Sequence, residues 1–360
     1  MKPPRRAGRS RWTRPEGVPR AQSGPIVANE YSSSPGVGPI RIGILGAARI
    51  APMALLKPAQ RIGIPVVSVA ARDVEVARRY AAKHRIPRIH DSYQDLLDDP
   101  EIDAVYIPLP ASLHAQWTIA AIAAGKHVLC EKPFTANAAQ AEQVASVAAR
   151  SDRVVMEAYH SGHHPLVQRL RDLLASEIVG EVIAARATFA VAIPPRKDIR
   201  WNPSLGGGAL LDVGYYPVRM LRDLFGEPTV LSAQATERDG VDGAVTARLQ
   251  FANGVLGYVE CSMWPPRFAM PSLTIAGTLG TLRVRMPYHP QTSGRITFTS
   301  DDDRWAEKPD STSTYLAQLR AFRESVLSRS PIRTDAPAAV RQMTTIDAIY
   351  QAAGMTPRCT

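Results

Sequence analysis

Three side chains in this sequence combine the groups that proton transfer needs. Lys132 stands in Glu131-Lys132-Pro133, directly after the apolar run His127-Val128-Leu129-Cys130, and Asp212 and Tyr216 follow the triple glycine Gly206-Gly207-Gly208. A lysine, a carboxylate and a phenol are suitable partners for general acid-base work. Proline restricts the residue before it and cannot donate to a ladder, so the strand through Cys130 must end beside Lys132. Ligands of open α/β sheets sit outside the carboxyl ends of strands. That position makes Lys132 a candidate for chemistry; the alternative for a lone Lys-Pro is a surface lysine. Asp212 and Tyr216 are four residues apart and share a face if the segment is one helix.

Other residues add binding chemistry. Tyr159-His160-Ser161-Gly162-His163-His164 holds three histidines in five residues. Their spacing matches neither a helical His-x-x-x-His pair nor a zinc set with cysteines, so no metal site is expected. A histidine facing a cleft is more plausible than a metal site, with His160 and His164 as the candidates, and surface or packed histidines are the default reading. Arg196, Arg200 and Trp201 precede the triple glycine and could contact a polyol or an anionic group, with salt bridges to a neighbouring domain as the alternative.

Elements must hold these groups. Ile40 to Gly46 is an apolar strand closing on glycine, and Ala47-Ala48-Arg49-Ile50-Ala51 leads into a helix through about Gln60. A strand, tight turn and helix in this order can seat a pyrophosphate at the helix N-terminus. Alanine occupies the second and third glycine positions of the dinucleotide fingerprint. The next strand, Pro65 to Ala70, ends in Ala71-Arg72-Asp73, where dinucleotide folds read the adenine ribose. Arg72 is a planar cation suited to a 2′-phosphate, which favours NADP. Asp73 keeps NAD as the alternative, or simply caps the helix Val74 to His84. Strands Asp103 to Ile107 and His127 to Cys130 repeat the pattern, and their wholly apolar runs predict a parallel sheet covered on both faces. His114 and Trp117 begin the helix after Pro108-Leu109-Pro110, where they can face a cofactor, cap or pack.

After Glu157 the pattern changes. Strands are predicted over Ile178–Val191, Thr229–Glu237, Ala244–Phe251, Val255–Met263, Ser272–Gly277 and Thr281–Met286, with Arg295–Thr299 as a short edge. Asn253-Gly254 is a hairpin signal. The fold class is therefore α/β, with an N-terminal Rossmann domain over 39–157 and a C-terminal α+β domain with a mainly antiparallel, open-faced sheet over 158–312. Two helices within 313–360 are expected to return and brace the first domain.

The chain has 360 residues, 45% hydrophobic and 21% charged, an ordinary globular composition with no run that approaches a membrane span. Its 3 cysteines form neither a metal-ligand spacing nor a disulfide framework, which favours a reducing, cytoplasmic setting. Of the net charge of +10, half lies in residues 1–38, where seven Lys and Arg face two Glu. That Pro-, Gly- and Ser-rich segment reads as a disordered basic tail. Arg5-Arg6 is not followed by an apolar stretch, so no export signal is expected. The remaining charge is dispersed and predicts no nucleic-acid site.

The glycine turn, Glu131-Lys132-Pro133, and Gly206-Gly207-Gly208 with Asp212 and Tyr216 occur in one order. In this the chain resembles the glucose-fructose oxidoreductase / inositol dehydrogenase / rhizopine catabolism family of NAD(P)-dependent oxidoreductases, over about residues 40 to 355. Tyr216, Ile44-Leu45-Gly46-Ala47-Ala48 and Tyr106-Ile107-Pro108-Leu109-Pro110 are most similar to its dimeric dihydrodiol dehydrogenase branch. The resemblance implies hydride transfer between a nicotinamide and a carbonyl or secondary alcohol of a sugar, a sugar derivative or a vicinal diol. It implies Lys132, Asp212 and Tyr216 as catalytic residues. The implied cofactor-binding set is Gly46, Ala48, Arg49, Ile50, Arg72, Pro108, His114, Glu131 and Lys132. The Lys132-Pro133 bond is expected to be cis, and Lys132 beside Tyr216 is expected to lower the phenol's pKa. A homodimer or homotetramer through the open sheet is also implied. The alternatives are a non-catalytic NADP(H) sensor and an NAD-assisted glycoside hydrolase of the same fold.

Overall fold

The computed structural model describes residues 40–194, 198–265 and 269–358. The basic tail, Arg196 and Cys359 lie outside the described residues.

The first part of the chain alternates strands and helices. β1 (Ile42–Leu45) is followed by a π-helical turn (Pro52–Leu56) running into α1 (Lys57–Arg61), then β2 (Val66–Ala70), α2 (Val74–His84), β3 (Arg88–His90) and α3 (Tyr93–Asp98). β4 (Ala104–Ile107), α4 (Ala111–Ala123), β5 (His127–Glu131), α5 (Ala138–Ala148) and β6 (Val155–Ala158) complete it. The strands form one sheet in the order β3-β2-β1-β4-β5-β6, parallel throughout. Every residue of β1 and β4 is buried, which is why these runs read as continuously apolar; β6 is buried too but carries Glu157. Caps start the helices: the Asp73 carboxylate accepts from the Glu75 and Val76 amides, and Asn137 from Gln140. Asp73 therefore spends its carboxylate on the helix. β3 has only three residues, too few to show a period.

α6 (Pro165–Ala175) leads into the second sheet. Its elements are β7 (Val182–Ala190), α7 (Ala209–Asp212), α8 (Tyr215–Phe225), β8 (Pro228–Arg238), β9 (Val241–Phe251), β10 (Leu256–Ser262), β11 (Ser272–Gly277), β12 (Thr281–Arg285), α9 (Pro290–Ser293), β13 (Arg295–Thr299) and β14 (Arg304–Glu307). The order is β14-β13-β12-β11-β7-β10-β9-β8. All pairs are antiparallel except β7 with β10. α8 packs against β7 and β10. On β9 the alternate residues Thr246, Arg248 and Gln250 are exposed while Val245, Ala247 and Leu249 are buried. Two predictions shift. β7 starts at Val182 rather than Ile178, because Glu177 and Gly180 take positive φ in the turn that closes α6. The edge strand is β14, not Arg295–Thr299, which is paired on both sides.

α10 (Thr314–Ser328) and α11 (Ala336–Ala352) end the chain. α10 lies on α1 and on the 3-10 turn His160–His163, while α11 packs on both α5 and β8. The segment before α11 joins the β6 edge, where the Glu157 amide donates to the Thr334 carbonyl at 2.8 Å.

One buried acid ties the glycine loop to these terminal elements. Asp242 on β9 is 0% exposed and accepts from the Leu210 amide at 2.7 Å and from the Tyr350 hydroxyl at 3.0 Å. It is also paired with the Arg358 guanidinium. Removing one partner of a buried pair strands the other charge. Asp242→Ala is expected to destabilise the protein by about 3–5 kcal/mol. Urea titration checks this, and an unchanged midpoint contradicts it.

Candidate active site

The strand order of the first sheet reverses between β1 and β4, so the carboxyl ends of those strands flank a crevice. A cleft of about 420 Å³ opens there and continues under the second sheet. Ala48, Arg49, Ile50, Pro108, His114, Glu131 and Lys132 line it from the first part of the chain, and Arg200, Gly206–Gly208, Asp212 and Tyr216 from the second. Gly46 shapes the turn below. It has φ +112°, and a Cβ there would lie 2.8 Å from Leu109 Cδ2. Its amide donates to the Ala70 carbonyl at 2.8 Å, so the turn sits beside the end of β2. Arg72 is exposed two residues further on and does not line the cleft.

Lys132 follows β5, with a cis bond to Pro133. Its Nζ donates to the Asp212 carbonyl and to Asp212 Oδ1, each at 2.9 Å. The Arg200 Nε meets the other oxygen, Oδ2, at 2.9 Å. Asp212 is thus clamped by two cations, one from each sheet's domain. Burial opposes its ionisation, but Lys132 and Arg200 outweigh burial and hold the carboxyl below its ordinary value. The network continues through Asp198, which pairs with Arg200 and, at 3.4 Å, with Arg49. The glycines allow this loop to close. The Gly208 amide donates to the Arg200 carbonyl at 3.0 Å, and a Cβ on Gly207 would lie 2.5 Å from that same oxygen.

Asp212 and Tyr216 are not on one helix. α7 ends at Asp212, and α8 begins at Tyr215 after Val213-Gly214. Gly214 packs at this break, where a Cβ would lie 2.7 Å from Cys261 Sγ. Both side chains still face the cleft. The expected lysine-phenol contact is different in kind. Lys132 Nζ lies 5.1 Å from the centroid of the Tyr216 ring, over its face. The hydroxyl instead lies 3.0 Å from His160 Nε2. The expectation of a lowered phenol pKa therefore does not hold. Burial drives the Tyr216 pKa well above 10.0, helped by Tyr315, Glu131 and Asp212.

Behind His160, the Ser161 hydroxyl donates to the Tyr288 carbonyl at 3.0 Å, and its oxygen lies 3.4 Å from His160 Nδ1. Either ring nitrogen of a neutral imidazole can carry the proton, so the bond between His160 Nε2 and Tyr216 can run in either direction. Burial, then His289 and Lys132, push His160 well below its ordinary pKa and keep it neutral. His289 and Tyr315 also line the cleft and form an aromatic layer with His160 and Tyr216. No sequence motif marks either residue. They arrive from the N-cap of α9 and from the start of α10, brought in by tertiary packing.

Other candidates take structural roles. His164 caps α6, its Nδ1 accepting from the Leu166 amide at 3.0 Å, and is not in the cleft. Trp201 is buried and donates to the Ile193 carbonyl at 3.0 Å. Neither lines the cleft, and the indole N–H of Trp201 is spent on backbone. Trp117 packs edge-on to Tyr93. His163 contacts Thr334. The three clustered histidines thus point to three partners, and among the described residues no group of three or more His, Cys, Asp or Glu is arranged to hold a metal. His114 is buried, with both ring nitrogens 2.7 Å from carbonyl oxygens, of Pro133 and of Leu109; burial lowers its pKa to about 4. Glu131 accepts from the Tyr106 hydroxyl at 2.6 Å, and burial raises its pKa.

Two family models match this chain. One, described as an oxidoreductase family with an NAD-binding Rossmann fold, covers residues 40–159, and the GFO/IDH/MocA C-terminal domain covers residues 167–283. The chain belongs to the Gfo/Idh/MocA family of oxidoreductases. Within this family it is similar to D-xylose 1-dehydrogenase (NADP(+)) 2 of Haloferax volcanii, with 35% identity over 316 residues, 86% of this chain and 96% of the relative. It is 33% identical over 255 residues to trans-1,2-dihydrobenzene-1,2-diol dehydrogenase of Sus scrofa, covering 69% of this chain and 75% of that protein. The fold is similar to that of a 3-ketoreductase from Actinomadura kijaniata, solved in complex with NADP and TDP-benzene. That match has a TM-score of 0.82 and 30% identity and covers 88% of this chain and 98% of the other. The relatives are therefore named as acting on a sugar, a diol and a ketone. No described helix is long and apolar enough to cross a membrane.

The clamp on this family member's Asp212 has a pH signature. Its folded pKa lies below the ordinary 3.8, so its stabilisation is present above that value and lost as pH falls through the folded value. Asp212→Asn removes it at every pH. The stability gap between wild type and Asp212→Asn is expected to be largest near neutrality and to close in acid, as read by urea midpoints across a pH series. A gap that stays constant into acid contradicts the clamp.

Proposed function

We propose that this protein is an NADP-dependent oxidoreductase that interconverts a carbonyl and a secondary alcohol on a sugar, a sugar derivative or a vicinal diol. Tyr216 serves as the proton donor and Lys132 as the group that binds the reacting oxygen. The observation that carries this reading is the convergence of Lys132, Asp212 and Tyr216 on one cleft with the Gly46 turn at the β1/β4 reversal.

The residues fit a dinucleotide. A Cβ on Gly46 would run into Leu109, and the turn from Ala48 to Ile50 opens directly into the cleft. Arg72 lies exposed beyond the end of β2, where a 2′-phosphate could pair with it. When bound, NADPH supplies the hydride.

The chain's own groups handle the proton and the orientation. An ammonium has three donors, and Asp212 takes two from Lys132. The third is available to a substrate oxygen. Asp212 holds Lys132 in place and is itself held by Arg200. Burial keeps Tyr216 protonated, which suits it to give its proton to an oxygen that gains charge during reduction. His160 orients that hydroxyl from behind. Phe189, Val191 and Ile193 give the cleft an apolar part of its lining, a surface against which a sugar ring or an aromatic diol can lie.

Tyr216→Phe is expected to lower turnover by ~10²–10⁴-fold, the usual worth of a general acid, with NADP affinity nearly unchanged. Steady-state kinetics with a panel of aldoses, diols and nucleotide sugars, paired with NADP titration, tests this; wild-type turnover in the variant overturns the assignment. Arg72→Ala is expected to weaken NADP roughly 10–100-fold, the worth of a charge-assisted contact, and to leave NAD affinity alone. Equal losses for the two nucleotides would remove Arg72 from cofactor selection.

A further inference from the structure

A second cleft, of about 340 Å³, lies where α6, α8 and the start of α11 meet. That volume falls within the ~300–1,000 Å³ of small-molecule sites. Its lining is dominated by five arginines: Arg171, Arg219, Arg222, Arg333 and Arg341. The carboxylates that face them are Asp223 and Glu227, with Glu157 buried beneath. Five cations against three anions leave two positive charges in excess.

The arginines divide into a floor and a rim. Arg219 has all three nitrogens engaged: Nε donates to Asp223, Nη1 to Glu157 and Nη2 to the Arg333 carbonyl. So does Arg222, with a two-pronged contact to Glu227 and its third nitrogen on Gln342. Both are buried and cannot leave. The rim is different. Arg171 spends Nε and Nη2 on a backbone carbonyl, that of Asp223. Arg333 reaches only the neutral Gln168, at 3.3 Å. Neither has a carboxylate partner among the described residues. Arg341 shares Glu227 with Arg222 through Nε at 3.3 Å, which leaves its other two nitrogens open. The start of α11 lines the same cleft through Thr334 and Ala338, with its end capped by the Asp335 carboxylate, which accepts from the Ala338 amide. The half-buried His163 stands beside these arginines. Burial, then Arg219 and Arg333, push its pKa down to about 3.

We propose that this cleft binds a phosphoryl group, free as phosphate or carried on a phosphomonoester, held by the open guanidinium ends of Arg171, Arg333 and Arg341. Guanidinium forks match phosphate oxygens in two-pronged geometry, and a site with excess cations and open donors favours a multivalent anion. The cleft shares α8 with the active site, since Arg219 and Arg222 lie three and six residues beyond Tyr216. Arg219 also sits 5.4 Å from the Tyr159 ring, which packs on Tyr216. An occupant would therefore brace the helix that carries Tyr216.

Calorimetric titration of the full chain with inorganic phosphate and with methyl phosphate tests this. It is run at constant ionic strength and with saturating NADP, so that the first cleft does not compete. Saturable binding of either compound is expected, and the tighter of the two identifies the free or the esterified source. The double variant Arg171→Gln/Arg333→Gln should lose affinity at least tenfold, while Tyr216→Phe should leave it unchanged, which separates this site from the catalytic reading. Both rim arginines are part-exposed or exposed and sit outside the core, and Arg341→Gln alone should give a smaller loss in the same direction. Absence of saturable binding overturns the proposal, as does equal affinity in the double variant. So does a fall in oligomer mass in that variant with phosphate affinity unchanged, which would make the arginines contacts to another copy.

Discussion

The carboxylate of Asp212 is the constraint on which the cleft depends. It is largely removed from water, and a buried charge must be paired or neutralised. Lys132 reaches it from the end of β5, and Arg200 reaches it from the loop before the triple glycine. One acid therefore joins the strand ends of the parallel sheet to the helix pair under the antiparallel one. The backbone is arranged to permit this. Gly207 and Gly208 let the loop fold back so that the Arg200 carbonyl caps it, and Asp242 fastens the far side through the Leu210 amide. With two of its donors taken, Lys132 has little freedom, and its remaining donor has a defined direction.

A dry aromatic layer completes the arrangement. Tyr216 meets Phe189, Tyr288, His160 and Tyr159, with His289 and Tyr315 behind. Low dielectric penalises every charged form there, so phenols are driven up and imidazoles down. The polarity of the cleft is thus divided. Charges cluster at Lys132, Asp212 and Arg200, and neutral hydrogen-bonding groups lie along the facing wall. Behind that wall, Glu157 forms a second buried charge system with Arg219 and Tyr215, so α8 is fixed by ionic contacts at one end and aromatic ones at the other.

The parallel sheet was legible because β1, β4 and β5 are almost wholly buried and therefore apolar at successive positions. Lys132 was legible because Pro133 forces an end to the strand. The antiparallel sheet could be read from alternation, as in β9, but its terminal strand β14 is four residues long and lacks a period. Sequence spacing misled at Asp212 and Tyr216, where a break at Val213-Gly214 replaces a helical turn. It also misled on the phenol's acidity. Proximity of an ammonium predicts a lowered pKa, but the ammonium lies over the ring and the hydroxyl is buried against a neutral histidine. His160 and Tyr216 were each visible as residues that could do chemistry, yet their pairing across 56 positions was not. His289 and Tyr315 left no signal, since their position depends on α10 folding back onto the turn after β6.

The hydrogen-bond chain behind Tyr216 bears on its proposed role. It runs from the Tyr216 hydroxyl to His160 Nε2 and from His160 Nδ1 to Ser161, and Ser161 ends on the Tyr288 carbonyl. A carbonyl cannot take the proton onward, so this chain does not drain to solvent. For Tyr216 to act as a base, its proton would have to rest on His160 and make an imidazolium beside Lys132 and His289, which burial and both neighbours disfavour. Donation toward the cleft leaves a phenolate, which burial also penalises, so the Lys132 ammonium, 5.1 Å from the ring centre, is the charge placed to offset it.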